Sequence, residues 1–343
     1  MGLRAGMTVC GAVALGPLVF AGSSARPTPA TYPGANGKIV LVRKTPPCTG
    51  GDSPTCKLTV WVMKPDGSGL RRLTKGPCDS VPTWSRDGRR IAYVHIEGRG
   101  CTRPAIWVMG ANGSGKHRLA FANMTFGFQS LSWSRDGREI LYAGVQTRRQ
   151  GSGIVFVRYA VSSVNVATRK VRTVFGSTHS QSDVIAGARW SPDGRRIAYI
   201  GQRGNVGVLI VARPSGAGKR VVLRAPLGSL EQFDWSPDSR RIVFAPAGDS
   251  QFPLEVVDAD GSGRHAVTRI YGAKGHPVWS PDGRSIVFEL EAGGSDPMSE
   301  RFALIRADGT GLTRIGPGSN GCQIRVGGGT EPCPAREPSW APR

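Results

Sequence analysis

The stretch WSPDGRRIAYI, residues 190–200, decides the fold because close copies of it recur along the chain. The other copies begin at Trp84, Trp133, Trp235 and Trp279. Self-similarity with a period of roughly 40 to 60 residues is typical of solenoids, propellers and tandem arrays. In four of the five copies the residues after the tryptophan favour a type I turn that ends in a left-handed glycine. The apolar residues that follow predict a strand covered on both faces.

One copy departs from the pattern, because Ser239 stands where the other four have glycine. If the backbone there has positive φ, a serine side chain is strained. We then expect Ser239→Gly to stabilise the fold by roughly 0.5 to 1 kcal/mol.

A second repeated element lies between these copies and consists of an apolar strand, a glycine-rich turn and a short polar strand. Its members are residues 61–74, 106–120, 209–223, 254–268 and 302–316, with a longer-turned member at 154–174. The two elements supply four strands per repeat. We name these strands A, which ends in the tryptophan, then B, C and D.

The two ends of the chain supply the halves of one repeat. Six C–D hairpins are present but only five complete A–B hairpins. Residues 338–342 repeat the end of an A strand, and residues 36–42 repeat a B strand. Such a division closes a ring, whereas a solenoid has no use for it. The sequence therefore predicts an all-β fold, a six-bladed β-propeller of four-stranded antiparallel blades, in which the strand around Trp340 pairs with the strand around Ile39.

The WSPDG turn, followed by a hairpin with a DGSG turn, resembles the TolB-type propeller repeat, and the resemblance covers residues 36–343. It implies a propeller fold and a binding role. TolB proteins of the bacterial cell envelope also carry an N-terminal α/β domain and a partner-binding N-terminal segment. We expect neither here, because the first blade strand begins soon after a predicted export signal.

The N-terminal residues predict export from the cytoplasm. Residues 1–25 combine a basic start at Arg4, an apolar stretch and small residues at the end, which is typical of a signal peptide cut after Ala25 or after Ala30. Cys10 lacks the sequence that lipoprotein processing needs. No other segment is apolar enough to span a bilayer. We therefore expect a linker over 26–35, a propeller over 36–343, and a periplasmic, extracellular or envelope-associated location.

Six cysteines remain after cleavage, and an even number in an exported chain predicts disulfides. In a four-stranded blade the B–C loops and D–A links lie on one face of the ring, here called the loop face, and the A–B and C–D turns lie on the other, the turn face. All six cysteines fall on the loop face. The pairs we expect are Cys48–Cys56, Cys78–Cys101 and Cys322–Cys333. Alternatively, Cys322 and Cys333 bridge to the first blade.

The charge is strongly basic, with 45 Lys and Arg against 24 Asp and Glu and a formal net charge of +21. Many arginines follow the A–B turns and predict a basic face, composed of Arg89, Arg90, Arg195, Arg196, Arg240 and Arg241. Such a face would attract anionic polymers or phospholipid headgroups. Alternatively, these are simply exposed side chains of the repeat, whose replacement leaves stability unchanged. Nucleic acid is not expected as the partner of an exported chain.

Motifs for catalysis are weak. Residues 110–117, GANGSGKH, approach a phosphate-binding loop but lack its final Ser or Thr and the helix that should follow. There is no GxSxG motif. No CxxC pair or cluster of His and Cys predicts a metal site. We therefore predict no catalytic residue, no metal site and no cofactor, although a cation bound in the channel stays open.

Polar residues just before each A-strand tryptophan are expected to converge at the channel mouth on the loop face. These are Asp79, Gln129, Glu231, Gln232, His276, Arg336 and Glu337. They form a candidate site for a small ligand or cation. Alternatively, they only line a solvated channel.

Two functions follow from these features. The first, which the sequence favours, is an exported, non-catalytic binding propeller, expected to be monomeric, that engages a protein or an anionic envelope polymer. The second is a propeller enzyme of the lyase or lactonase kind with a ligand or metal at the channel mouth. Propeller enzymes of that kind need several His or acidic ligands at the channel, and the chain offers only His276 with scattered carboxylates there.

Overall fold

The structure is a computed structural model of the chain. The residues that it describes are 35–45, 57–98, 101–122, 130–150, 153–177, 184–226, 230–246, 253–268, 275–290, 301–315, 323–326, 329–332 and 335–342. Side chains are described for most but not all of these residues. The predicted signal peptide, and the linker apart from residue 35, lie outside them. Where the structure is described, it contains no helix that could cross a membrane.

The described secondary structure consists of β-strands. In chain order they are β1 (Asn36–Thr45), β2 (Lys57–Met63), β3 (Arg71–Arg72), β4 (Asp79–Trp84), β5 (Arg90–Glu97), β6 (Arg103–Gly110), β7 (His117–Phe121), β8 (Leu131–Trp133), β9 (Glu139–Gln150), β10 (Gly153–Asn165), β11 (Val171–Gly176), β12 (Ile185–Trp190), β13 (Ile197–Arg203), β14 (Val206–Ala212), β15 (Arg220–Pro226), β16 (Leu230–Trp235), β17 (Arg241–Pro246), β18 (Glu255–Asp258), β19 (His265–Ala266), β20 (Val278–Trp279), β21 (Ser285–Leu290), β22 (Arg301–Arg306), β23 (Thr313–Ile315), β24 (Gln323–Val326), β25 (Gly329–Pro332) and β26 (Ala335–Pro342).

These strands form six antiparallel sheets of four strands, which are the blades of a propeller. Blade 1 has the strand order β26-β1-β2-β3, and blades 2 to 6 take β4–β7, β8–β11, β12–β15, β16–β19 and β20–β23 in order. The predicted fold class is therefore confirmed. One feature was not predicted: β24 and β25 form a separate two-stranded hairpin in the last D–A link, which the sequence analysis treats as a loop.

Ring closure takes the predicted form. The last strand, β26, pairs antiparallel with β1, and Trp340 stands opposite Ile39. The Trp340 indole Nε1 also donates to the Gly37 carbonyl at 3.0 Å. Because these bonds join the two ends of the described chain, the ring is fastened by backbone pairing within blade 1.

The core lies between neighbouring blades. The A-strand tryptophans Trp84, Trp133, Trp235, Trp279 and Trp340 are at most 1% exposed. Each packs into an apolar layer shared by two blades; Trp235, for example, lies with residues of blades 4 and 5. Burial of one such side chain stabilises the fold by about 2 to 3 kcal/mol. The repeated tryptophan therefore explains how consecutive blades pack against each other.

The A–B turns have the same hydrogen bonds in blades 2 to 6. In blade 4 the Ser191 hydroxyl lies 2.6 Å from Asp193 Oδ1 and accepts from the Arg196 N–H at 2.9 Å, while the Arg195 N–H donates to Asp193 Oδ1 at 3.0 Å. Gly194 has a φ of 73°, and Ser239 of blade 5 has a φ of 63°. The left-handed turn position is thus confirmed, including its one serine.

A bulge in the A strands sets the position of the channel-mouth residues. The third residue before the tryptophan has positive φ in three blades, with 53° at Val81, 56° at Gly187 and 51° at His276. In two of these blades the register of A against B shifts at this point. Bulges of this kind bend a strand and re-aim its side chains, here at the loop-face end of the channel.

Candidate functional site

A buried polar cluster joins blades 5 and 6 near the loop-face end of the channel. His276 Nδ1 lies 2.9 Å from Glu289 Oε1, and His276 Nε2 lies 2.8 Å from Gln232 Nε2. The Gln232 side-chain oxygen also accepts from the His276 backbone N–H. Because the Gln232 amide can only donate at Nε2, the contact assigns the acceptor role to His276 Nε2 and the proton to Nδ1. We call Gln232, His276 and Glu289 the blade 5–6 triad.

Each member of this triad is nearly inaccessible to solvent, with exposures of 3% for Gln232, 2% for His276 and 7% for Glu289. Buried polar groups cost free energy unless they are hydrogen-bonded, and a buried charge costs more. The close contacts within the triad therefore offset part of the cost of burying its members. Chemically it is a histidine oriented by a carboxylate, with its second nitrogen already occupied by the glutamine amide.

Glu289 was missed by the sequence analysis, although a signal was present. It occupies the B-strand position three residues after the isoleucine that pairs with the tryptophan. The other blades place apolar residues there: Val42, Val94, Ala143, Ile200 and Ala245. A single carboxylate at a position that is otherwise apolar indicates a buried partner, and alignment of the repeats would have found it.

A second polar pair, between a buried aspartate and a partly exposed histidine, lies in blade 2. Asp79 Oδ1 lies 2.7 Å from His95 Nδ1, and the two residues stand opposite each other across β4 and β5. The hydrogen bond to Asp79 raises the pKa of His95, against the opposing effect of its partial burial. The His95 ring packs edge-on against Trp107, with ring centroids 5.5 Å apart. Asp79 was predicted as a site residue, but His95 was not.

The structure thus divides the predicted channel-mouth set. It brings Gln232 and His276 together and pairs Asp79 with His95. Gln129 lies outside the described residues, and for Glu231, Arg336 and Glu337 only the backbone is described. Within the described ranges there is no group of three or more His, Cys, Asp or Glu side chains that could hold a metal ion.

The loop face of blade 2 is also closed by a disulfide. Cys78 and Cys101 are bonded, with their Cα atoms 6.2 Å apart, which confirms one predicted pair. Cys78 directly precedes Asp79, and its carbonyl accepts from the Ile96 N–H at 3.0 Å. The disulfide therefore fixes the backbone on both sides of the Asp79–His95 pair. Cys48, Cys56, Cys322 and Cys333 lie outside the described residues, so their pairing stays a prediction.

The channel wall is polar and buried where A strands of neighbouring blades meet. Ser132 Oγ accepts from the Trp190 N–H at 3.0 Å, and Asp234 Oδ2 accepts from the Trp279 N–H at 3.0 Å. The Arg189 guanidinium lies 5.6 Å from the centre of the Phe233 ring and is 1% exposed. These contacts tie blade to blade around the channel, and their residues are structural.

The turn face carries one exposed arginine directly after the glycine or serine of each A–B turn in blades 2 to 6. These are Arg89, Arg138, Arg195, Arg240 and Arg284. Each has its backbone N–H bonded to the aspartate of its own turn, at 3.0 to 3.1 Å. The five side chains therefore project from fixed backbone positions. We call them the arginine ring.

The expectation that all six predicted basic-face arginines are exposed is wrong for Arg90, Arg196 and Arg241. Each is half-buried and stacks on the tryptophan of the next blade, with its guanidinium carbon 4.8 to 5.2 Å from the ring centre. The reason is the strand register, which turns this residue inward along the blade junction. These three arginines hold blades together, and only Arg89, Arg195 and Arg240 of the predicted set are exposed.

The fold and these sites define a six-bladed β-propeller whose turn face carries the arginine ring and whose loop face carries the blade 5–6 triad, the Asp79–His95 pair and a disulfide. The sequence matches the family model Gmad1, described as the lipoprotein LpqB beta-propeller domain, over residues 69–283. The match covers more than half of the chain, which therefore belongs to this family.

Solved structures are similar in fold. TolB from Acinetobacter baumannii is 18% identical, with a TM-score of 0.65 over 90% of this chain and 67% of that one. A nidogen/laminin complex is 10% identical, with a TM-score of 0.60 over 89% and 98%. Hydrazine synthase from Kuenenia stuttgartiensis is 13% identical, with a TM-score of 0.61 over 90% and 48%. At these identities the likeness concerns the fold alone. No curated protein sequence matches the chain significantly.

Proposed function

We propose that the protein is a non-catalytic binding module of the cell envelope whose turn face docks on anionic envelope material. The observation that carries the proposal is the arginine ring, in which five exposed guanidinium groups stand on rigid turns on one face. Clustered charge on one face attracts a partner of opposite charge and speeds its association. Because each turn is fixed by its own hydrogen bonds, the ring loses little backbone entropy on binding.

The envelope location rests on two supports. The matching family model is described as a lipoprotein propeller domain, and TolB is among the structural neighbours. The predicted signal peptide agrees with this location. Fractionation of the native cells, with the chain followed by antibody, tests it; recovery in the cytoplasm would contradict the location.

Retention on isolated envelopes tests the docking surface. The test variant replaces Arg89, Arg195 and Arg240 by Ser, and the control variant replaces Lys75, Arg203 and Arg224, which are exposed near the loop face. Both remove the same charge, so net charge alone cannot separate them. We expect the test variant to be retained less than the control. The difference should shrink as salt rises, since screening weakens exposed charges. Equal retention of the two variants would overturn the proposal.

A ligand-binding or lyase-type activity at the loop face is the second candidate, and the blade 5–6 triad favours it. A histidine whose Nδ1 contacts a carboxylate has the orientation used by general bases. For catalysis, however, His276 Nε2 must first lose its contact with Gln232. Gln232→Ala would free that nitrogen. A turnover of acidic oligosaccharides or lactones that depends on His276 would support an enzyme. If neither the unmodified protein nor Gln232→Ala turns over these substrates, the binding role is favoured.

A further inference from the structure

Three blade junctions on the turn face share one contact between arginine and tryptophan. Arg90 of blade 2 stacks 4.8 Å from the Trp133 ring of blade 3, and its Nη2 donates to the Gly137 carbonyl at 3.1 Å. Arg196 does the same on Trp235, with Nη2 donating to the Ser239 carbonyl. Arg241 stacks 4.9 Å from Trp279. The molecule therefore contains a repeated receptor for a guanidinium group.

The junction between blades 3 and 4 has the receptor without its arginine. The positions of Arg90, Trp133 and Gly137 correspond to Glu139, Trp190 and Gly194. These three residues line a cleft of about 460 Å³, a size usual for ligand sites. Among the described side chains no Arg or Lys stacks on Trp190. Its exposure is 7%, whereas Trp133, Trp235 and Trp279 are each 0% exposed.

The charge of this junction also differs from that of the three junctions with a stacked arginine. The turn carboxylates of Asp87, Asp193 and Asp238 each lie near two arginines, including the stacked one. Asp136, in blade 3, has only Arg138. Replacement of the stacked arginine by Glu139 removes one positive charge and adds a negative one.

Basic groups of the chain approach the cleft but do not fill it. Arg172 binds the Glu139 carboxylate through two contacts, of 3.0 and 2.6 Å. Arg135 passes beside Gly194 and reaches the Asp193 carbonyl at 3.4 Å, yet its side chain stays exposed. The Trp190 face therefore keeps room for a cation from outside.

We propose that this cleft binds an arginine side chain of a partner protein. The guanidinium stacks on Trp190 and donates to the Gly194 carbonyl, as Arg90 does on Trp133 and Gly137. Asp136 supplies negative charge, and so does Glu139, whose carboxylate the partner's arginine would share with Arg172. Arginine suits the site better than lysine, because a planar guanidinium can stack and donate at once, whereas an ammonium is a strongly hydrated point charge. The inference is independent of the arginine ring, which needs an anionic partner.

The test uses N-acetyl-arginine methylamide as the probe and follows the Trp190 indole N–H by NMR, with the signal assigned from Trp190→Phe. We expect a saturable shift, and binding roughly two- to fivefold stronger than that of the lysine analogue, because only the guanidinium can stack on the ring and donate at once. The triple variant of Arg89, Arg195 and Arg240 should bind the probe normally, so the two proposals can fail separately.

Glu139→Arg supplies the stacked residue from the chain itself and should abolish binding of the probe. Glu97→Arg is the matched control, since Glu97 is also a B-strand carboxylate paired with a D-strand arginine, Arg118. If Glu139→Arg fails to fold, Glu139→Gln is the second test variant. It keeps the cleft open and should weaken binding of the probe. Absence of any Trp190 shift with the arginine probe, or an equal shift in Glu139→Arg, would overturn the proposal.

Discussion

The turn face and the loop face of the propeller are built by different rules. On the turn face, blades 2 to 6 repeat one set of hydrogen bonds, in which the turn aspartate accepts from a serine hydroxyl and from the backbone N–H of the arginine that follows. On the loop face the described residues differ between blades: blade 2 has a disulfide and the Asp79–His95 pair, and blades 5 and 6 share the triad. A four-residue turn permits few sequences, whereas loops of free length permit many. Individual chemistry therefore collects on the loop face.

Removal of β26, the strand that closes the ring, should have the largest effect on folding stability. Deletion of residues 335–343 takes away β26 and the Trp340 core contact, so we expect loss of the order of the whole folding stability, about 5 kcal/mol or more. Far-UV circular dichroism and urea titration measure it. Deletion of Arg343 alone is the control. A truncated chain that unfolds at the same urea concentration as the full chain would refute the closure by β26.

Loss of the loop-face disulfide should lower the free energy of unfolding more than a change in any one turn of the turn face. Cys78→Ser with Cys101→Ser opens a link between residues separated by 23 positions, and should cost about 3 kcal/mol. Urea titration gives the value. Alkylation of the unfolded, unreduced protein followed by mass spectrometry should leave both cysteines unlabelled. Labelling of either one would contradict the pairing.

The triad should respond strongly to loss of one member. Glu289→Ala leaves a buried histidine nitrogen without its carboxylate and should cost about 1 to 3 kcal/mol. Glu97→Ala, at an exposed ion pair with Arg118, should cost less than about 1 kcal/mol. Urea titration of the two variants compares them directly. If the two variants lose equal stability, the burial of Glu289 does not add to its contribution to stability.

The two faces should respond to pH in opposite directions, each by about 1 kcal/mol or less. Asp79 raises the pKa of His95, so this stabilisation is complete below the unfolded value of about 6.5 and is lost as the pH rises through the folded one. At Asp193 burial raises the pKa, but hydrogen bonds and two nearby arginines outweigh it and lower the pKa. That stabilisation is complete above the unfolded value of about 3.9 and is lost as the pH falls.

Urea titration as a function of pH separates these contributions. His95→Gln should flatten the curve on the alkaline side only, and Asp193→Asn should flatten it on the acid side only. A change on the opposite side in either variant would contradict the assignment of the two groups.

The smallest effect is expected at Ser239, the one left-handed serine of the turn face. Ser239→Gly relieves backbone strain of about 1 kcal/mol, but the structure shows that Ser239 Oγ accepts from the Asp193 N–H at 3.0 Å. Loss of that bond costs a similar amount. The gain expected from the sequence should therefore vanish, with a net change below about 0.5 kcal/mol. A clear stabilisation by calorimetry would show that this hydrogen bond contributes nothing.

The sequence predicts the fold well because each repeat carries its own turn and its own core tryptophan. The split first blade, for example, follows from residues 36–42 and 338–342. It predicts the site less well, because a contact between blades joins residues far apart in the chain. Gln232 and His276 could be named from their place before the tryptophans, but Glu289 and His95 lie in B strands, where burial and not position decides their role. Arg90, Arg196 and Arg241 were misplaced because their inward direction depends on the neighbouring blade.

Closure by β26 also has a consequence for how the protein is made. The inner edge of β1 finds its partner only when residues 335–342 have left the ribosome, so the ring cannot close before that segment has been synthesised. Until then blade 1 exposes an unpaired strand edge, which is a site for aggregation and for proteases.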